Sequence, residues 1–126
     1  MKIKVIRFKT VNSTNDIAIK LIKAKKINPA LIISKKQTKG RGTMGKKWIS
    51  LKGNLFLSIY FEIDQSRLNF KQFNIINALV LRKVISKFTP KKISIKWPND
   101  LIYNKKKFCG ILQEIINFNN KNFLII

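Results

Sequence analysis

The stretch from residue 40 to residue 63 constrains the fold more than any other. Gly40-Arg41-Gly42-Thr43-Met44-Gly45 has the GxGxxG spacing that in dinucleotide folds lies between a strand and the helix whose N-terminus meets pyrophosphate. The residues after Gly45, KKWISLKGNLFLSIYF, have a strand pattern, so no helix N-terminus is offered and the context disfavours a Rossmann site. A kinase-type glycine loop is excluded by the absence of His-Arg-Asp and Asp-Phe-Gly. The residues leave a flexible loop in which three glycines free backbone N–H groups and Lys39, Arg41, Lys46 and Lys47 add positive charge, suited to phosphate or carboxylate. Taken alone, an ordinary solvated basic loop accounts for it better, because GxGxxG is common by chance.

The flanking periodicities predict α+β. Residues 2–9 alternate as a half-buried strand, and Ser13 or Asn12 caps a helix whose apolar face is Ile17, Ala18, Leu21, Ile22 and Ala24. Pro29 stops it, and Ala30 to Ser34 forms a short buried strand. Trp48–Ser50 and Asn54–Ile63 read as a β-hairpin about Leu51-Lys52-Gly53. The segment from Phe70 to Phe88 carries Phe73, Ile76, Leu79, Val80, Val84 and Ile85 at helical spacing and is expected as the main core helix. Strands are then expected at Lys92–Trp97, Lys107–Phe118 and Asn122–Ile126, giving a mixed, largely antiparallel sheet with two helices packed on it.

Composition bounds the function. The chain has 126 residues, enough for one domain over 1–126, with no linker or internal repeat. Its net charge of +22 suggests nucleic acid or an anionic membrane surface. Yet Lys, Ile and Asn together supply 58 of the 126 residues, against only 4 Arg, which fits a drift toward A/T-rich codons better than selection for phosphate or base contacts. The absence of His removes imidazole catalysis and His metal sites. A lone Cys109 excludes an internal disulfide and a Cys-based zinc site and suits a reducing cytoplasm. No apolar run approaches membrane-spanning length.

Several short motifs have polar chemistry but a stronger bland reading when taken singly. Lys96-Trp97-Pro98-Asn99-Asp100 puts an amide and a carboxylate on a rigid turn, and Ser13-Thr14-Asn15 is an ordinary helix cap that also suits a polar ring. Of the 5 carboxylates, Asp16 follows Ser-Thr-Asn, Asp100 ends the Pro-Asn-Asp turn and Glu114 follows Gly110-Ile-Leu-Gln. None forms a paired acid/base site, so any chemistry rests on positioning and charge stabilisation, which suits reactions at phosphorus.

Read together and in order, Ser13-Thr14-Asn15, QTKGRGTMGKKW (37–48), GNLFLSI (53–59), KWPNDL (96–101) and KKFCGILQE (106–114) resemble the catalytic domain of biotin protein ligases. The resemblance implies a fold related to class II aminoacyl-tRNA synthetases and an enzyme that joins biotin to ATP as biotinyl-5′-AMP. It then passes biotin to a lysine of the biotin carboxyl carrier protein of acetyl-CoA carboxylase. On that basis Ser13, Thr14, Asn15, Gln37, Gly40 and Arg41 are expected around the biotin ring, whose ureido group donates and accepts hydrogen bonds. Lys107 is expected near the biotin carboxylate and the phosphate, so that Lys107 and Arg41 are the implied catalytic cations, with Gly110 allowing close approach to the ligand. Trp48 is expected beside adenine, and Asn99 and Asp100 on the nucleotide side with Mg²⁺ nearby, its ligands unassigned. A second copy of the chain is a further candidate partner.

Two departures from the family pattern are visible. Thr43 stands where the family often has Arg, with Lys46 and Lys47 the cations nearest to compensate. The family's next block, a glycine-rich strand end with Asn and then a small β domain, is not reached, so the expectation is a catalytic domain incomplete at its C-terminus and without an N-terminal DNA-binding domain. The neighbouring alternative is a lipoate or octanoate ligase, disfavoured by the QTKGRG and KWPND pair. The distant one is a basic nucleic-acid-binding module, disfavoured by the lack of a stacking aromatic series or a known motif.

Overall fold

The computed structural model describes residues 2–64, 66 and 69–126. The fold is α+β, and its contacts divide into two compact units, one formed by residues 1–63 and 113–126 and the other by residues 64–112.

The first unit is a five-stranded sheet with one helix. Strand β1 (Lys4–Phe8) leads through helix α1 (Thr14–Lys23) to β2 (Ala30–Ser34), which returns parallel to β1. A parallel pair needs such a crossover, and here the helix supplies it. Strand β3 (Phe56–Ile63) pairs antiparallel with β2; after the second unit, β7 (Glu114–Phe118) and β8 (Lys121–Ile125) complete the order β1-β2-β3-β8-β7. Ala18 and Ile22 of α1 pack with Ala30, Ile32, Tyr60, Phe123 and Ile125 in a core whose residues are all at most 2% exposed. The Tyr60 hydroxyl, carried into this core, donates to the Lys26 carbonyl at 2.6 Å, so its burial leaves no orphan donor. No helix among the described residues is long and apolar enough to cross a membrane.

The expected hairpin at Trp48–Ser50 is absent. Residues 48–50 form no strand, and β3 pairs only with β2 and β8. Trp48 is instead drawn back to the glycine loop, its N–H donating to the Gly40 carbonyl at 2.9 Å, while Ser50 turns its hydroxyl to Gln37. The predicted strand Lys107–Phe118 is likewise two strands in two sheets, β6 (Lys106–Gly110) and β7. It breaks because Ile111 gives its N–H to the Asn99 carbonyl and takes the Asn99 side-chain N–H on its own carbonyl, both at 2.8 Å.

The second unit holds helix α2 (Phe70–Ile85) and a three-stranded antiparallel sheet of β4 (Ser94–Lys96), β5 (Asp100–Tyr103) and β6. Asn69 and Gln72 form a reciprocal capping box that starts α2. Its expected role as the main core helix is not met, because Ala78 is its one fully buried residue and Leu79 and Val80 stay 40% and 55% exposed. Strands of three to five residues cannot cover the apolar stripe of a 16-residue helix.

Candidate functional site

The N-terminal turn of α1 is a buried polar patch. Ser13 caps the helix, its hydroxyl accepting the Asp16 N–H at 3.5 Å, and Ser13, Thr14 and Asn15 are all at most 5% exposed. Such groups are costly to bury unless bonded, and each is. The Gln37 side-chain oxygen, Oε1, accepts the Thr14 N–H at 2.8 Å and Gln37 Nε2 donates to Ser50 Oγ at 3.2 Å. Ser58, on the core-facing side of β3 and 1% exposed, stands 2.7 Å from the Thr14 hydroxyl and also bonds the Asn15 side-chain oxygen, Oδ1. Asn15 Nδ2 donates to Glu114 Oε2 at 2.8 Å.

Glu114 links this patch to Arg41. The guanidinium gives Nη1 to Glu114 Oε1 at 2.7 Å and Nη2 to Oε2 at 2.9 Å, a side-by-side fork, and gives Nε and Nη2 to Asp16 Oδ1 at 3.1 and 2.8 Å. Burial pushes the Glu114 carboxyl up, but the hydrogen bonds from Arg41 and Asn15 and the charge of Arg41 outweigh it and hold the group below the usual glutamate range. The Arg41 guanidinium is raised in turn, chiefly by its hydrogen bond to Glu114 against the opposing effect of burial.

The glycine loop is tied across its neck, so that of its three glycines Gly42 has its N–H committed. The Gly42 N–H donates to the Lys46 carbonyl at 2.7 Å, Arg41 and Lys47 form an isolated antiparallel bridge, and Met44 and Gly45 turn the chain with φ of 57° and 72°. Gly40 is required for packing: a Cβ there would lie 2.8 Å from both the Trp48 carbonyl oxygen and Ser50 Oγ. The expected residues Ser13, Thr14, Asn15, Gln37, Gly40 and Arg41 are thus drawn into one network, with Trp48 on the segment that closes it.

The second unit gathers Asn99, Asp100, Lys107 and Gly110. A Trp97–Pro98 cis bond precedes the turn, and Asn99 is committed to Ile111 through both backbone and side chain. Asp100 pairs with Gly110 across the β5–β6 ladder, and Lys107 Nζ meets Asp100 Oδ1 at 2.7 Å. This contact depends on a bulge. Leu101 opposes Cys109 but Ile102 opposes Lys107, leaving Phe108 as the extra residue. Cross-strand partners share a face and alternate residues share a face, so Lys107 lies on the face of Ile102 and Asp100. Burial, reinforced by Asp100 and opposed by Lys107, pushes the Cys109 thiol up, away from a reactive thiolate.

Three members of the first network are given no site role by the sequence: Ser58 and Glu114, which stand inside the blocks GNLFLSI and KKFCGILQE, and Asp16, which follows Ser13-Thr14-Asn15. Ser58 had a readable signal, a hydroxyl on the same alternating face as Phe56 and Tyr60. Asp16 and Glu114 were conspicuous by the scarcity of acids, yet nothing local ties either to Arg41. No group of three or more His, Cys, Asp or Glu side chains converges on a metal among the described residues.

Structural likeness sets the class first. A biotin protein ligase from Aquifex aeolicus, solved with biotin and ATP, superposes with a TM-score of 0.77 and 28% identity, over 97% of this chain and 50% of that one. The architecture is therefore that of the class II synthetase-like biotin protein ligases. Residues 7–126 match the biotin/lipoate A/B protein ligase family, and the chain belongs to that family. It is 34% identical over 106 residues to the bifunctional ligase/repressor BirA of Escherichia coli, which covers 83% of this chain and 33% of that protein. It is 30% identical over 105 residues to a biotin–[acetyl-CoA-carboxylase] ligase of Paracoccus denitrificans, over 82% of this chain and 43% of the relative. The chain thus spans between a third and a half of the length of these proteins.

Proposed function

We propose that this chain performs ATP-dependent activation of biotin to biotinyl-5′-AMP and transfers the biotinyl group to a lysine of the biotin carboxyl carrier protein of acetyl-CoA carboxylase. The observation that carries the reading is the polar patch in which buried Ser13, Thr14 and Asn15 meet the half-buried Gln37, so that hydroxyls and amides set donors and acceptors side by side. A ureido ring needs both, since it donates two N–H groups and accepts at one carbonyl.

In the first step a biotin carboxylate oxygen attacks the α-phosphorus of ATP and pyrophosphate leaves. In the second the acceptor lysine, as its free amine, attacks the activated acyl carbon, AMP leaves and the amine proton is lost to water. No protein base is required where substrates supply the nucleophiles, so the residues act by positioning and by charge. Lys107, held by Asp100, sets an ammonium against the negative charge that gathers at phosphorus. Trp48, Asn99 and Asp100 take the nucleotide side, and Gly110 admits the ligand. The side chains of the described residues do not form a cage for Mg²⁺, and no step here runs through one. We set the reaction in a reducing cytoplasm, as the lone Cys109 suits.

Biotin-dependent exchange of labelled pyrophosphate into ATP tests the reading. Exchange is expected; a chain shown to be folded that neither exchanges nor binds biotin overturns it.

A further inference from the structure

An asparagine amide has nearly the same shape in its two flipped orientations, so its neighbours decide which end donates and which accepts. At Asn15 the two neighbours are unequal. Ser58 has one hydroxyl proton, within reach of Thr14 Oγ1 as well as Asn15 Oδ1, so it does not by itself hold the amide in one orientation. An ionised Glu114 only accepts, so it forces Nδ2 toward itself at 2.8 Å and leaves Oδ1 facing Ser58. The donor and acceptor ends of Asn15 are set by a residue 99 positions away.

Glu114 is in turn held by Arg41, and the accounting of Arg41 bears on what that residue does. Of its five N–H groups, four are committed, two to Glu114 and two to Asp16. Its single positive charge faces two carboxylates, so the trio carries a net charge of −1 and offers no surplus attraction to an anion. A guanidinium so occupied is built to orient its partners.

We propose that Arg41 and Glu114 form a positioning pair that fixes the flip of the Asn15 amide, and hence the donor–acceptor polarity read by the ureido ring, in place of a direct contact between Arg41 and a substrate anion. The inference rests on the biotin reading for its ligand. Arg41 then acts through Glu114, and Glu114 through Asn15.

Two measurements on the 126-residue chain test it, and the first needs no ligand. Hydrogen exchange of the Asn15 side-chain amide, whose Nδ2 donates to Glu114, is followed by NMR in wild type, Glu114→Gln and Arg41→Lys. Both variants are expected to exchange the Asn15 amide about tenfold faster, the loss of one charge-assisted hydrogen bond; unchanged exchange overturns the pair whether or not biotin binds. The second is calorimetric titration with biotin and, separately, with ATP. Glu114→Gln and Arg41→Lys are each expected to weaken biotin about tenfold, and the double variant also about tenfold and not about a hundredfold, with ATP affinity unchanged in all. Wild-type biotin affinity in Arg41→Lys would show that a point charge suffices, and additive losses would show independent roles; either result refutes the pair. Failure of the wild-type chain to bind biotin refutes the biotin reading, and the exchange data then decide by themselves whether the pair holds Asn15.

Discussion

Lys107 meets Asp100 at 2.7 Å only because β6 carries one more residue than β5 between their cross-strand partners. In an unbroken ladder continuing from Asp100–Gly110 and Leu101–Cys109, Lys107 would oppose Tyr103 and lie on the other face of the sheet. A one-residue bulge at Phe108 moves the ammonium to the face of the carboxylate, the kind of re-aiming for which bulges occur near functional sites.

Lys107→Ala is therefore expected to slow biotin-dependent pyrophosphate exchange by about 10²-fold or more, the scale seen when one charge-stabilising donor is removed. Far-UV circular dichroism should report an intact fold. Wild-type exchange in this variant would remove Lys107 from the reaction.

Ser58→Ala removes a fully buried hydroxyl that both Thr14 and Asn15 use. Leaving those partners unsatisfied should cost about 1–3 kcal/mol, read as a lower urea midpoint with an unchanged m-value. A loss below about 0.5 kcal/mol would mean that water replaces the hydroxyl without penalty.

The two glycines flanking Arg41 should separate cleanly. In Gly40→Ala the new methyl meets the Trp48 carbonyl oxygen and Ser50 Oγ at 2.8 Å, so backbone must move, at a cost of about 1–3 kcal/mol. In Gly42→Ala the nearest atom is the Lys46 carbonyl oxygen at 3.4 Å, and little change in melting temperature is expected. Equal melting temperatures for the two variants would contradict the packing described.

Acid should weaken the first unit through Glu114. Its carboxyl is held below the usual glutamate value of about 4.3 by the hydrogen bonds of Arg41 and Asn15 and the Arg41 charge, which outweigh burial. A depressed folded value means that the contribution is complete above the unfolded value and is lost as pH falls through the folded one. Chemical denaturation from pH 6 down to pH 3 should show a decline that Glu114→Gln flattens below about 4.3; parallel curves for variant and wild type would count against it.

Legibility in the residues tracks the range of the interactions concerned. Helix α1 and strand β2 announce themselves through local periodicity and Pro29, and Ser13 through its capping chemistry. The Trp48–Ser50 hairpin misleads because its alternation is real, while the partner that claims Trp48 is the Gly40 carbonyl. The Lys107–Phe118 run misleads for a related reason: its break at Ile111 is imposed by Asn99, 12 residues earlier. The motif residues of the site are local words and are legible. The Arg41–Glu114 fork spans 73 residues and is not, because nothing in either neighbourhood names the other. The bulge at Phe108 is invisible for the opposite reason, being a miscount of one between strands that each look regular.

The order β1-β2-β3-β8-β7 has a consequence for how the molecule is made. Glu114 belongs to β7, which touches the rest of the sheet only through β8, whose Phe123, Leu124 and Ile125 are fully buried. During synthesis the residues of the polar patch at α1 leave the ribosome early, yet Asn15 has no acid to face until β8 has emerged and zipped onto β3. Until then Arg41 has only Asp16 to hold, and a nascent chain arrested before residue 121 should carry the motif residues of the patch without its orientation.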